Sequence, residues 1–167
     1  MLSVPFIAEL IRVTLAGGPF PHIARAIPLL LGTCAQESGF QYNRQLGNGP
    51  ARGYWQCEPA TEADIWANYL CYQPALTEWL LTRCGMTGPN VEALEHNMVY
   101  QVLMARTHYL RCDPDPLPAA KDLAAQARSW KTYYNTPLGH GTEAQYIESY
   151  TTLVAPVWPH RGGRSRG

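Results

Sequence analysis

Phe6, Ile7, Leu10, Ile11 and Leu15 recur at helical spacing, with Glu9 and Arg12 on the opposite side. That pattern predicts an amphipathic, packed helix over residues 3–16. Gly17-Gly18-Pro19 ends it. Pro21 to Ile27 reads as a short helical segment. A second helix is predicted from Pro28 to Ser38, with Leu29, Leu30 and Leu31 on its buried side. Pro28 suits a first turn, where its missing N–H costs nothing, and Gly39 reads as the stop. Further helices are predicted over Pro59 to Leu70, Gln73 to Arg83, Val91 to Leu110, Lys121 to Tyr134 and Glu143 to Val154. The longest carries a stripe of Leu94, Met98, Val102, Ala105 and Tyr109. Residues 41–56 read as a loop or small β-hairpin, because Leu46-Gly47-Asn48-Gly49-Pro50 is dense turn chemistry. Gly85 to Asn90 is a turn, and the proline-rich run from Cys112 to Pro118 is a rigid loop.

Composition narrows this to a globular chain. The 167 residues suffice for one domain with a real core, and 46% apolar against 16% charged residues excludes a disordered chain. The expected division is a single domain over residues 1–157 and a flexible Arg/Gly-rich tail over 158–167. A formal net charge of zero argues against a broad electrostatic grip on nucleic acid or anionic lipid. No apolar run is long enough to span a bilayer. Cys34, Cys57, Cys71, Cys84 and Cys112 are odd in number and never spaced Cys-x-x-Cys, so they read as reduced thiols rather than zinc ligands. Cys71 with Cys84 is the first disulfide to check. His96 and His108 lie too far apart on their helix for an adjacent-turn metal pair. No metal or cofactor is expected.

Candidate chemistry centres on Thr33-Cys34-Ala35-Gln36-Glu37-Ser38-Gly39-Phe40. It sets one carboxylate, Glu37, at the end of an apolar helical run, beside the core and facing whatever cleft the next loop builds. Partial desolvation there raises a carboxyl pKa towards the range a general acid needs near neutral pH. Glu62 and Asp64 read as first-turn helix acids, where negative charge is favourable. Glu58 is the acid nearest the loop, and residues 38–57 contain neither Asp nor Glu.

Three ordered motifs carry a family resemblance: Glu37-Ser38 with Phe40; Gly53, Gln56, Pro59, Ala60 and Thr61; and Tyr134-Asn135. Over roughly residues 27–150 the chain resembles the soluble lytic transglycosylases of the lysozyme superfamily. Their catalytic helix ends in Glu-Ser-x-Phe, followed by Gly-x-x-Gln-x-x-Pro-Ala-Thr and later by Tyr-Asn at the cleft wall. The resemblance implies a mainly α, lysozyme-like fold, a helical domain with a small β-hairpin or loop beside the cleft. It implies cleavage of the MurNAc–GlcNAc β-1,4 bond of peptidoglycan, with Glu37 as the single catalytic acid. Tyr134 would orient Glu37 or the substrate acetamide. Ser38, Phe40, Tyr54, Gln56 and Asn135 would contact sugar, and Trp55 and Phe40 read equally well as core. The chain departs from the family after Asn135, where Thr136-Pro137 stand in place of a small residue and a glycine.

Other readings stay open. Arg52-Gly53-Tyr54-Trp55-Gln56 is also similar to the Arg-Gly-x-x-Gln of plant-type chitinases, which carry a longer insertion and a second glutamate between the two motifs, both lacking here. A hydrolytic lysozyme or endolysin is the nearest enzymatic alternative. A structural phage tail component with a lysozyme-like fold is the alternative of a different class. No export signal is visible, since Val4 to Ala16 holds Glu9 and Arg12 with no basic segment before it. A wall-degrading enzyme of that kind is expected in a phage virion, tail-associated and acting on the host cell wall, or released by a holin during lysis. Its expected partners are peptidoglycan glycan strands and other virion or tail proteins, with no nucleic acid and no membrane.

Overall fold

In the computed structural model, residues 1–112, 117–135 and 139–158 are described. Among them are eight α-helices and no strand, so the chain is mainly helical. The predicted tail beyond residue 158, residues 113–116 of the proline loop and residues 136–138 after the Tyr-Asn pair lie outside the described residues.

Helix α1 (Val4–Leu15) starts at Ser3, whose Oγ accepts the Phe6 N–H. It buries Ile7, Ile11 and Leu15 completely. Phe6, predicted on the apolar side, is 52% exposed, because it flanks the stripe formed by those three residues and Val4. Helix α2 (Ile23–Ser38) absorbs both the short segment and the separate helix predicted around Pro28. Pro28 sits inside it, and the one N–H it lacks would have bonded residue 24, which faces solvent. Gly39, at φ 58°, ends the helix with its N–H on the Ala35 carbonyl.

Helices α3 (Pro59–Asn68) and α4 (Pro74–Cys84) both begin on proline. The long helix predicted from Val91 is split into α5 (Ala93–His96) and α6 (Met98–Cys112). Asn97 makes the break. Its Oδ1 accepts the Tyr100 N–H at 3.0 Å and caps α6, while its Nδ2 donates to the Cys84 carbonyl. Helix α6 is buried on every side from Tyr100 to Leu110 and packs against α1 through α5. Helix α7 (Leu123–Ser129) is capped by Asp122, and α8 (Glu143–Ser149) by a reciprocal Thr142–Gln145 capping box. Each continues into a π-helical turn, Trp130–Tyr134 and Tyr150–Val154.

Glu62 lies in the first turn of α3, as predicted, but it is buried. It is 1% exposed, and its Oε1 accepts the Tyr100 hydroxyl and the Asn90 N–H, tying α3 to α6 and the Asn90 loop. Asp64 pairs with Arg111 instead. Cys71 and Cys84 do not pair; their thiols donate to the Ala67 and Leu80 carbonyls.

Of the two forms expected for residues 41–56, the loop is found and the hairpin is not. Only isolated antiparallel bridges form, Arg44 with Arg52 and Arg52 with Cys57. Between them Gly47 and Asn48 take positive φ (71° and 61°), and Pro50 has no N–H to give a ladder. The loop is held from outside. Arg44 and Arg52 converge on Glu95 Oε1 at 2.7 and 2.8 Å, and Gln101 Oε1 accepts the Tyr54 N–H. A Cβ at Gly53 (φ 73°) would stand 2.5 Å from the Leu94 carbonyl, so the loop reaches α5 this closely only with glycine there.

Helix α2 is the support for the site. It packs on α1, α8 and the Tyr150–Val154 turn, and its carbonyls serve as secondary acceptors. Trp55 Nε1 donates to the Leu30 carbonyl at 2.9 Å, and the Tyr146 hydroxyl to the Leu29 carbonyl at 3.1 Å. Tyr146 fits because residue 32 is glycine; a Cβ there would overlap the tyrosine hydroxyl. Gly32→Ala is therefore expected to cost about 1–3 kcal/mol by overpacking. Gly88→Ala, which opens into free space, should stay within about 0.5 kcal/mol of wild type. Urea unfolding midpoints of the two variants check this.

Candidate active site

Glu37 lies in the last turn of α2, where the unpaired carbonyls of a helix end make negative charge unwelcome. Its carboxyl lines a groove of about 540 Å³. One wall is the end of α2, with Gln36, Ser38 and Gly39. The other is the 41–56 loop and the start of α3, with Gln41, Tyr42, Gln45, Leu46, Gln56 and Glu58.

One hydrogen bond reaches the carboxyl from a buried side chain. Trp130 Nε1 donates to Glu37 Oε1 at 2.8 Å. Burial pushes the Glu37 pKa up and the indole N–H pulls it back; burial is the larger effect, leaving it at about 7. The neighbouring groups stay neutral at that pH. Burial drives the Cys34 thiol and the Tyr109 and Tyr134 hydroxyls far above their ordinary values, and the Glu37 charge adds to each shift. A carboxyl that titrates near neutrality can both donate and accept a proton at working pH.

Of the residues singled out from sequence, Glu37, Ser38 and Gln56 come together on the groove. Ser38 is buried, with its Oγ donating to the Cys34 carbonyl at 3.1 Å. Gln56 sits at φ 49° and uses its Nε2 to brace the loop, on the carbonyls of Gly53 (2.7 Å) and Tyr42 (3.3 Å). Phe40 does not wall the groove: it takes φ 60° directly after Gly39 and is 1% exposed in the core. Trp55 is likewise core. Tyr54 is partly buried against the core and does not line the groove. Asn135 is also off the groove, with its Oδ1 on Lys131 Nζ at 2.9 Å.

Tyr134 is placed differently from the role the motif implied. Its hydroxyl donates to the Trp55 carbonyl at 2.8 Å, and its ring stacks on His108 and Tyr109 at 4.7 and 5.2 Å. It stiffens the wall behind Glu37, while Trp130, four residues earlier, makes the direct contact. Sequence reasoning missed Trp130. Its spacing from Tyr134 was visible, but an aromatic on an apolar helix reads first as core. Glu58, the acid nearest the loop in the sequence, also lines the groove, exposed and just ahead of Pro59. Among the described residues no group of three His, Cys, Asp or Glu side chains could hold a metal ion, and no helix is long and apolar enough to cross a membrane.

The Glu37 pKa sets the sign of a stability effect. Between about 4.5 and 7 the unfolded chain has lost this proton while the folded protein keeps it, so stability falls as pH rises through that window and levels off above it. His108, held by burial at about 4, acts in the opposite sense: stability falls as pH drops from about 6.5 towards 4. Comparing wild type with Glu37→Gln cancels the histidine. The two should be equally stable near pH 4.5, and by pH 8 the Gln variant should lead by about 2–3 kcal/mol. Denaturant titrations across that range measure the difference.

No family model matches the chain, and no curated protein or solved structure is significantly similar to it.

Proposed function

We propose that the protein is a peptidoglycan lytic transglycosylase that cleaves the MurNAc–GlcNAc β-1,4 bond with Glu37 as its single catalytic acid. The observation that carries this reading is a half-buried carboxyl with a pKa near 7, opening on a groove whose other side chains are mostly carboxamides and hydroxyls.

Glycoside cleavage needs a proton on the leaving oxygen and stabilisation of an oxocarbenium-like centre. Glu37 supplies the proton and is left ionised. The acetamide of N-acetylmuramic acid assists at C1, taking the place of a second carboxylate. Glu37 then acts as base on the C6 hydroxyl, which attacks C1 and gives a 1,6-anhydro product without water. Gln36, Gln41 and Gln45 extend the lining beyond Ser38 and Gln56, and carboxamides match the hydrogen-bonding pattern of acetamido sugars. The lysozyme-like fold belongs to this proposal. So do a place in a phage particle's tail, contact with other virion proteins and action at the host cell wall.

One observation favours a second reading, a hydrolytic lysozyme. Glu58 lines the same groove as Glu37, and a second carboxylate could activate water. Mass spectrometry of muropeptides released from purified peptidoglycan separates the two. Anhydro-muramic ends, one water lighter than hydrolysis products, are expected from wild type. Glu37→Gln should lose release by about 10²–10⁴-fold, the usual contribution of a positioned acid. Reducing muramic ends that disappear in Glu58→Gln would establish hydrolysis. No release by wild type would leave a structural tail component as the better account.

A further inference from the structure

We propose that Trp130 is the positioning residue of Glu37: its indole N–H holds Oε1 as the accepting oxygen and commits Oε2 to carry the proton that enters the groove. This rests on Glu37 being the acid of the proposed reaction.

The indole nitrogen is a donor and never an acceptor. The Trp130 bond to Oε1, 2.8 Å long, therefore requires a lone pair on Oε1 in both protonation states of the carboxyl. In a neutral carboxyl the carbonyl oxygen is a far better acceptor than the hydroxyl oxygen, so the bond favours Oε1 as the carbonyl oxygen and Oε2 as the hydroxyl, and the ionised form keeps the same bond, now charge-assisted. One side chain selects the oxygen that gives the proton and stabilises the anion left behind.

Trp130 is built to hold that position. It is 1% exposed and starts a π-helical turn closed by the Asn135 N–H on its carbonyl at 2.9 Å. Its ring lies tilted on Tyr146 at 5.5 Å, and Tyr146 is anchored through its hydroxyl to Leu29, two turns before Glu37 on the same helix. A Cβ at Gly141 would stand 2.5 Å from the far edge of the indole, so the chain closes over the ring with no side chain between. The support on one side is thus α2 itself, which fixes the distance between indole and carboxyl.

Among the described residues no other side chain hydrogen-bonds the Glu37 carboxyl. The buried titratable groups that feel its charge are Cys34 on its own helix, Tyr109 on α6 and Tyr134 on the π-helical turn, and all three are neutral through the working range; Glu58 shares the groove from the start of α3. The Tyr134 hydroxyl is committed to the Trp55 carbonyl.

Trp130→Phe keeps an aromatic ring and removes the donor. Two readouts follow, neither of which a purely structural tryptophan would move. The Glu37 carboxyl, followed by ¹³C NMR and assigned by its loss in Glu37→Gln, should titrate about one pH unit higher in the variant. The alkaline limb of the cleavage profile should move up with it, and kcat should fall about tenfold with KM little changed. Wild type offers a test that needs no Trp130 variant. The Trp130 indole ¹⁵N–H resonance should titrate with the Glu37 pKa, and this titration should vanish in Glu37→Gln. A flat indole resonance, or an unmoved Glu37 pKa in Trp130→Phe, would overturn the proposal even if the wall is cleaved. An indole that tracks Glu37 in a protein that releases no muropeptides would keep the contact and remove the glycosidase reading.

Discussion

Tyr146 can stand against α2 only because residue 32 carries no side chain. From that close approach the site is assembled. The Tyr146 hydroxyl on the Leu29 carbonyl registers α8 on α2, and its ring supports Trp130. Thr33, on the next turn, donates to the same Leu29 carbonyl and shares a hydrogen bond with the Tyr109 hydroxyl, which ties α2 to α6. Trp55 adds a third bond, on the Leu30 carbonyl, and brings the 41–56 loop over the end of the helix. Helix α2 is thus a post that receives side chains from three directions, Tyr146 and Trp55 on its backbone carbonyls and Tyr109 on the Thr33 hydroxyl, and Glu37 sits at its end.

Opposing effects meet at that carboxyl. Burial disfavours the charge by removing water, and the helix end adds its own negative partial charge. One indole N–H favours the charge. Burial wins, and the balance falls at about 7 rather than at the ordinary carboxylate value. At neutral pH the folded protein therefore holds a carboxyl that is only about half ionised, where water would ionise it almost fully. Stability held back at one position in this way is common where chemistry is done.

The groove around Glu37 is neutral and hydrogen-bonding in character, apart from Glu58. Its loop wall is not a sheet, and its rigidity comes from Glu95, Gln101 and Asn43 instead of from strand pairing. Asn43 Nδ2 donates to the Glu95 carbonyl at 2.7 Å and Asn43 Oδ1 accepts from Gln101 at 3.2 Å, so the loop is clamped to α5 and α6 through side chains. A loop fixed in this way can present backbone and amide groups at set positions without the regular spacing of a hairpin.

Local features were legible in the sequence because they depend on neighbours in the chain. The apolar run before Glu37, the Gly39 stop and the turn chemistry at residues 46–50 each act within a few residues, and they place Glu37 at a helix end beside a loop. The helical class follows from the same short-range periodicity. Misplaced features depend on partners far away. Asn97 splits a continuous helical pattern because Cys84 and Tyr100 both use its side chain. Glu62 is drawn inward by Tyr100, 38 residues on. Phe40 is turned into the core where its carbonyl accepts the Leu2 N–H, 38 residues back in the chain. Trp130 reaches Glu37 across 93 residues, and nothing in its local spacing distinguishes it from a core aromatic. By itself the sequence determined that an acid would stand at the end of a buried helix. Only the packing of α8 and its neighbouring turn on that helix decided which donor would meet it and which loop would face it, because such contacts are set by how whole helices fit together and not by the order of residues within one.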